Sequence, residues 1–112
     1  MNTLRDTLRK FVAERDWDKF HSPKNLSMAL SIEASELMEH FQWLTEEQSR
    51  KLPPDKLAQV RDELADVLVY LVRLADKLDI DLLEAAKQKI EKNALKYPAE
   101  KVRGSMKKYS DY

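Results

Sequence analysis

Apolar residues recur along this chain at the three- and four-residue spacings of amphipathic helices, and no stretch shows the strict alternation of a half-buried strand. Leu4, Leu8, Phe11 and Val12 mark a first helix over residues 3–15, with Thr3 and Asp6 placed as a capping box. Residues 16–21 carry Trp17 and Phe20 without a helical period and read as a loop. Ser22-Pro23 is a strong start signal, a capping hydroxyl followed by a first-turn proline, for a second helix reaching Trp43. Thr45 and Gln48 form a second capping box for a short helix that Pro53-Pro54 closes. A third helix runs from Pro54 to Leu78, and Asp79-Ile-Asp81 restarts a fourth that ends near Tyr97, before Pro98. The pattern predicts an all-α, four-helix bundle-like fold in one domain over 1–104, with a polar tail at 105–112.

Two acidic pairs break into the apolar stripes. Glu33 and Glu36 share a helix face with Leu26, Ala29, Leu30 and Leu37; Glu63 and Asp66 share one with Val60, Val67, Tyr70, Leu71 and Leu74. Four carboxylates turned toward a core cannot all stay ionised without compensating charge, because burying one unpaired anion is already very costly. A bound divalent cation is the simplest compensation; displacement of the helix phases by a residue or two, with the acids pairing to Lys or Arg at the core's edge, is the other.

Composition narrows the options. Among 112 residues, 20 acidic and 20 basic side chains cancel, so no global field draws in nucleic acid or an anionic membrane. Cysteine is absent, which removes thiolate ligands and thiol nucleophiles and fits a reducing cytoplasm, the expected location. Neither a signal peptide nor a membrane span is expected; the longest apolar run, 67–72, is far too short. That run is apolar on every side of its helix, so it needs cover from more than one direction, and a second subunit is one source.

An all-oxygen donor set without cysteine favours Mg²⁺, with Mn²⁺ as a substitute, over Zn²⁺. A di-iron carboxylate bundle would need Glu-x-x-His on two helices. Neither His21 nor His40 follows a glutamate at that spacing, so the motif is absent. A Mg²⁺ site with open positions commonly serves a phosphate-bearing substrate. On the fourth helix Lys89, Asn93 and Lys96 fall on one side and could meet phosphates, although lysines near a helix C-terminus are equally ordinary dipole-complementing residues.

The sequences SIEASELMEHFQW at 31–43, DELADVLVYL at 62–71 and KIEKNALKYP at 89–98 resemble the MazG-like all-α nucleoside triphosphate pyrophosphohydrolases, and within them the dCTP-preferring branch. The likeness extends to ERDW at 14–17, FHSPKNL at 20–26 and SMKKY at 105–109, so it covers nearly the whole chain in order. Ala34-Ser35 departs from it, since a glycine often precedes the second glutamate in this family.

The resemblance implies Mg²⁺-dependent hydrolysis of a nucleoside triphosphate to the monophosphate and pyrophosphate. It implies Glu33, Glu36, Glu63 and Asp66 as metal ligands, and Lys89, Asn93, Lys96 and Tyr97 near the phosphates. It places Trp17, His21, Asn25, Trp43 and Tyr70 around the nucleotide, where the aromatics could stack on a base; by residue type alone they serve equally as core. It further implies a homodimer or homotetramer. Glu36 is the candidate general base, and the sequence does not separate it from Glu33. A helical module that senses nucleotide and metal without turnover is the competing function, and a purely structural oligomer the third. A nucleic-acid partner is not expected.

Overall fold

The computed structural model describes residues 1–104, and all regular elements among them are helical. They are α1 (Asn2–Glu14), a 3-10 turn (Asp18–Phe20), α2 (Pro23–Glu39), α3 (Glu46–Arg50), α4 (Pro54–Lys77), α5 (Leu82–Lys96) and α6 (Ala99–Val102). The chain divides into two compact units, Met1–Ile80 and Asp81–Tyr112. The expected tail at 105–112 lies outside the described residues.

In the Met1–Ile80 unit, α4 is the central element, with α2 and α1 packed on it. The core is the strip where their apolar stripes meet: Leu8 and Val12 of α1, Leu26 of α2, and Val60, Val72 and Ala75 of α4. Leu26 is the most enclosed of these, at 1% exposure.

Local chemistry sets the element ends. The Ser22 hydroxyl accepts from the Asn25 N–H at 3.1 Å with Pro23 in the first turn, and Thr45 and Gln48 cap α3 reciprocally, as the sequence predicts. Two Schellman stops follow from aspartates in the left-handed region where glycine is usual. After α1, Asp16 takes φ 53° while its N–H donates to Ala13 and that of Trp17 to Val12. After α4, Asp79 takes φ 54° with the matching bonds from Asp79 to Asp76 and from Ile80 to Ala75. The first stop turns Trp17 back over α1, where its ring meets Phe11 edge-on at 5.8 Å.

Three element expectations need correction. Helix α1 begins at Asn2, without a side-chain cap, so Thr3 sits within the first turn. There the Thr3 carbonyl accepts from the Thr7 hydroxyl, and Asp6 pairs instead with Arg5 and Arg9. Helix α2 stops at Glu39, short of Trp43, because the backbone tightens: His40 and Phe41 donate to the carbonyls three residues back. Past Pro98 the chain makes one further helical turn, α6, before Gly104.

In the Asp81–Tyr112 unit, Asp81 caps α5 by accepting from the Glu84 N–H at 3.1 Å, and Tyr97 ends it, its N–H donating to the Asn93 carbonyl at 2.8 Å. Among the described residues, no helix is long and apolar enough to cross a membrane.

Candidate metal and nucleotide site

The two acidic pairs come from the helices that pack most extensively, α2 and α4. Glu33, Glu36 and Glu63 each turn a carboxylate oxygen into one small volume, the three oxygens lying within 4.8 Å of one another. Glu33 and Glu63 are half-buried and Glu36 is exposed, so the cluster opens to solvent on the Glu36 side. Asp66, one turn beyond Glu63, is exposed and is not among the three that converge.

Two of these glutamates bury an oxygen, Glu33 Oε2 and Glu63 Oε1, that receives no hydrogen bond. Unpartnered buried carboxylate oxygens are costly in a folded protein. The stress shows in the ionisation of Glu33, whose carboxyl is pushed up to about 7, chiefly because Glu63 stands close enough to share its proton, with burial and Glu36 adding to the effect. A cation among these oxygens would replace both the missing donors and the missing charge. Hard oxygen donors without nitrogen or sulfur fit a Mg²⁺- or Mn²⁺-like ion.

The residues expected around the nucleotide lie in the same unit. Trp17 follows the α1 stop and is nearly half exposed. Trp43, in the turn after α2, is 86% exposed, which removes the core explanation for this ring. Tyr70 is half-buried on α4, four residues after Asp66 and thus on the same helix face. Asn25 donates from its side-chain amide to the Phe20 carbonyl at 3.0 Å, stitching the aromatic turn to the start of α2. His21 closes that turn and is half-buried.

The structure also assembles a charged cluster behind this turn that the sequence did not single out. Arg73 of α4 is almost wholly buried; it donates to Asp18 at 3.0 Å, to Asp76 at 3.3 Å and to His21 Nδ1 at 3.4 Å. Lys77 also reaches Asp18, at 2.6 Å, and Arg9 of α1 reaches Asp76, at 2.8 Å. These cations hold both carboxyls below the ordinary aspartate range: Lys77 is the main cause at Asp18, and Arg9 at Asp76. The one available signal was an arginine interrupting an apolar run, Val72-Arg73-Leu74, on the packed side of α4.

In the Asp81–Tyr112 unit, Lys89, Asn93 and Lys96 lie along one face of α5 at spacings of four and three, with Tyr97 directly after it.

Among the described residues this is a helical protein with three carboxylates gathered between two packed helices. Residues 28–112 match the MazG-like family. The dCTP pyrophosphatase 1 of Mus musculus is 46% identical over 114 aligned positions, covering 97% of this chain and 67% of that protein. The Homo sapiens protein of the same name is 43% identical over the same shares. Among solved structures, a pyrophosphatase from Archaeoglobus fulgidus DSM 4304 superposes with a TM-score of 0.83 at 44% identity, over 88% of this chain and 92% of that one. The chain belongs to the MazG-like family. It is an enzyme, a nucleotide pyrophosphatase within the hydrolases of phosphoric anhydrides.

Proposed function

We propose that this enzyme is a Mg²⁺-dependent nucleoside triphosphate pyrophosphohydrolase that converts dCTP, or a modified pyrimidine deoxynucleoside triphosphate, to the monophosphate and pyrophosphate, as nucleotide-pool housekeeping. The observation that carries the metal dependence is the pair of buried, donorless oxygens on Glu33 and Glu63. The relatives named dCTP pyrophosphatase 1, at 43% and 46% identity, support the choice of substrate.

In this reading Glu33, Glu36, Glu63 and Asp66 hold the ion. Bound there, a hard divalent cation screens phosphate charge and acidifies water. Glu36, the exposed member of the cluster, is the proposed general base that takes a proton from the attacking water, with Glu33 the other candidate. Lys89, Asn93, Lys96 and Tyr97 contact phosphates, and the two lysines stabilise the departing pyrophosphate. Trp17, Trp43 and Tyr70 offer aromatic faces to the base, with His21 and Asn25 at its polar edge.

The test is product analysis across a panel of canonical and modified triphosphates. Pyrophosphate and monophosphate should form from dCTP only with Mg²⁺ or Mn²⁺. Turnover should fall by more than about a hundredfold in Glu33→Gln and Glu63→Gln, since even outer-shell partners of a metal are worth ten- to a hundredfold. If no triphosphate turns over while nucleotide still raises the melting temperature, the sensing module replaces this reading.

The active form is proposed to be a homodimer or homotetramer. Leu57, Leu64 and Leu68 lie along α4, and Met28 and Ile32 along α2, all at least 40% exposed. A second copy of the chain would cover them and supply the outer cover that the apolar middle of α4 calls for. Light scattering should give a multiple of the 13.2 kDa chain mass, and Leu64→Glu should lower it. A monomeric wild-type protein contradicts the assembly.

A further inference from the structure

Arg73 is an unusual residue to bury, and its three acceptors explain only part of the reason. Each of its two carboxylates has another cation of its own: Asp76 keeps Arg9, and Asp18 keeps Lys77. The contact that Arg73 alone makes is the one from its Nε–H to His21 Nδ1. A guanidinium donates and cannot accept. The ring nitrogen facing it must therefore be the unprotonated one, and the imidazole proton must sit on Nε2. Nε2 is then the ring nitrogen that carries the N–H and can donate.

We propose that Arg73 is a positioning residue that locks His21 in the neutral Nε2–H tautomer, so that the imidazole presents a hydrogen-bond donor, and never an acceptor, to an acceptor atom of the nucleotide base. The tautomer follows from the Arg73–His21 contact alone; its action on the base rests on the placement of His21 in the nucleotide pocket proposed above. The groups facing His21 are Arg73 and Lys77 of α4 and Asp18 of the 3-10 turn. Burial first, then the Arg73 charge, lowers the imidazole pKa against the opposing pull of Asp18, in keeping with a ring that stays neutral. The positions Glu63, Asp66, Tyr70 and Arg73 also follow one another at spacings of three, four and three. One face of α4 thus runs from the carboxylate cluster to the residue that sets His21.

The test uses the full chain labelled with ¹⁵N-histidine. There are two histidines, so His40→Gln assigns the signals. In the wild type at about pH 7, His21 should show a protonated, pyrrole-like Nε2 and a bare, pyridine-like Nδ1. Arg73→Met should mix the tautomers and raise the His21 titration midpoint. Arg73→Lys keeps the charge but loses the Nε–H, and should also mix them, so the result does not depend on the stability of one variant. A proton on Nδ1 in the wild type, or unchanged spectra in both variants, overturns the proposal. Kinetically, Arg73→Met should raise KM for the triphosphate by about tenfold, the worth of one hydrogen bond, and leave kcat nearly unchanged. In a His21→Gln background, whose amide cannot tautomerise, the same substitution should leave KM unmoved. An equal penalty in both backgrounds overturns the claim that Arg73 acts through His21. The expected tautomer with an unchanged wild-type-background KM supports the lock and contradicts instead the placing of His21 against the nucleotide.

Discussion

Glu33 of α2 and Glu63 of α4 bring carboxylate oxygens within 4.8 Å of each other across a packed helix pair, and each also buries an oxygen that no donor reaches. Two anions so placed oppose the packing that brings them together. Without a cation, the contact is eased by keeping a proton on Glu33, which is why its pKa is pushed up to about 7.

That proton makes the stability of the metal-free protein depend on pH. Glu33 titrates near 7 when folded and near 4.5 when exposed, so between these values the folded state binds more protons than the unfolded one. Stability therefore falls as pH rises from about 4.5 to about 7. His21, whose pKa is lowered chiefly by burial, works in the opposite sense just below its ordinary value of 6.5. Thermal melts of wild type and Glu33→Gln in chelator isolate the Glu33 contribution. The wild type should lose melting temperature relative to the variant across this window, and Mg²⁺ should remove this pH-dependent loss from the wild type.

The registry of the carboxylates depends on the seam between α2 and α4, of which Leu26 is the most enclosed residue. Leu26→Ala should cost about 3 kcal/mol, the loss of a buried leucine plus the cavity it leaves. Calorimetry should show this as a drop of about 10 °C or more in Tm. A change within a few tenths of a kcal/mol would mean that the seam repacks freely.

Asp79 adopts φ 54° to end α4, a conformation that glycine takes without steric cost. Asp79→Gly should therefore raise stability by about 0.5–1 kcal/mol, part of the left-handed penalty being offset by the greater freedom of glycine in the unfolded chain. Urea midpoints at matched slope would report it. Destabilisation would show that the aspartate charge beside Arg9 outweighs the backbone relief.

The sequence makes visible those features that a few adjacent residues decide. Ser22-Pro23, the Thr45–Gln48 box and Pro54 fix helix starts through local hydrogen bonds and ring geometry, and the structure keeps all three. Glu33, Glu36 and Glu63 were legible as a group because their period put them on apolar faces, and the packing of α2 on α4 brings them together. The end of α2 was not legible, since no glycine or proline marks Glu39 and the change there is a tightening of backbone bonds. The Arg73 cluster was hidden for a different reason. Its bonded partners are separated by up to 67 positions, as in Arg9 and Asp76, and only the docking of α1 and the aromatic turn on α4 makes them neighbours.

The central claim, that Glu33, Glu36 and Glu63 hold a divalent cation, is tested most directly by Mn²⁺ binding followed by electron paramagnetic resonance on the nucleotide-free protein. Wild type should bind Mn²⁺ and give it up to Mg²⁺, and Glu63→Gln should weaken binding by more than about tenfold. Mn²⁺ binding of equal strength in wild type, Glu33→Gln and Glu63→Gln would contradict the claim.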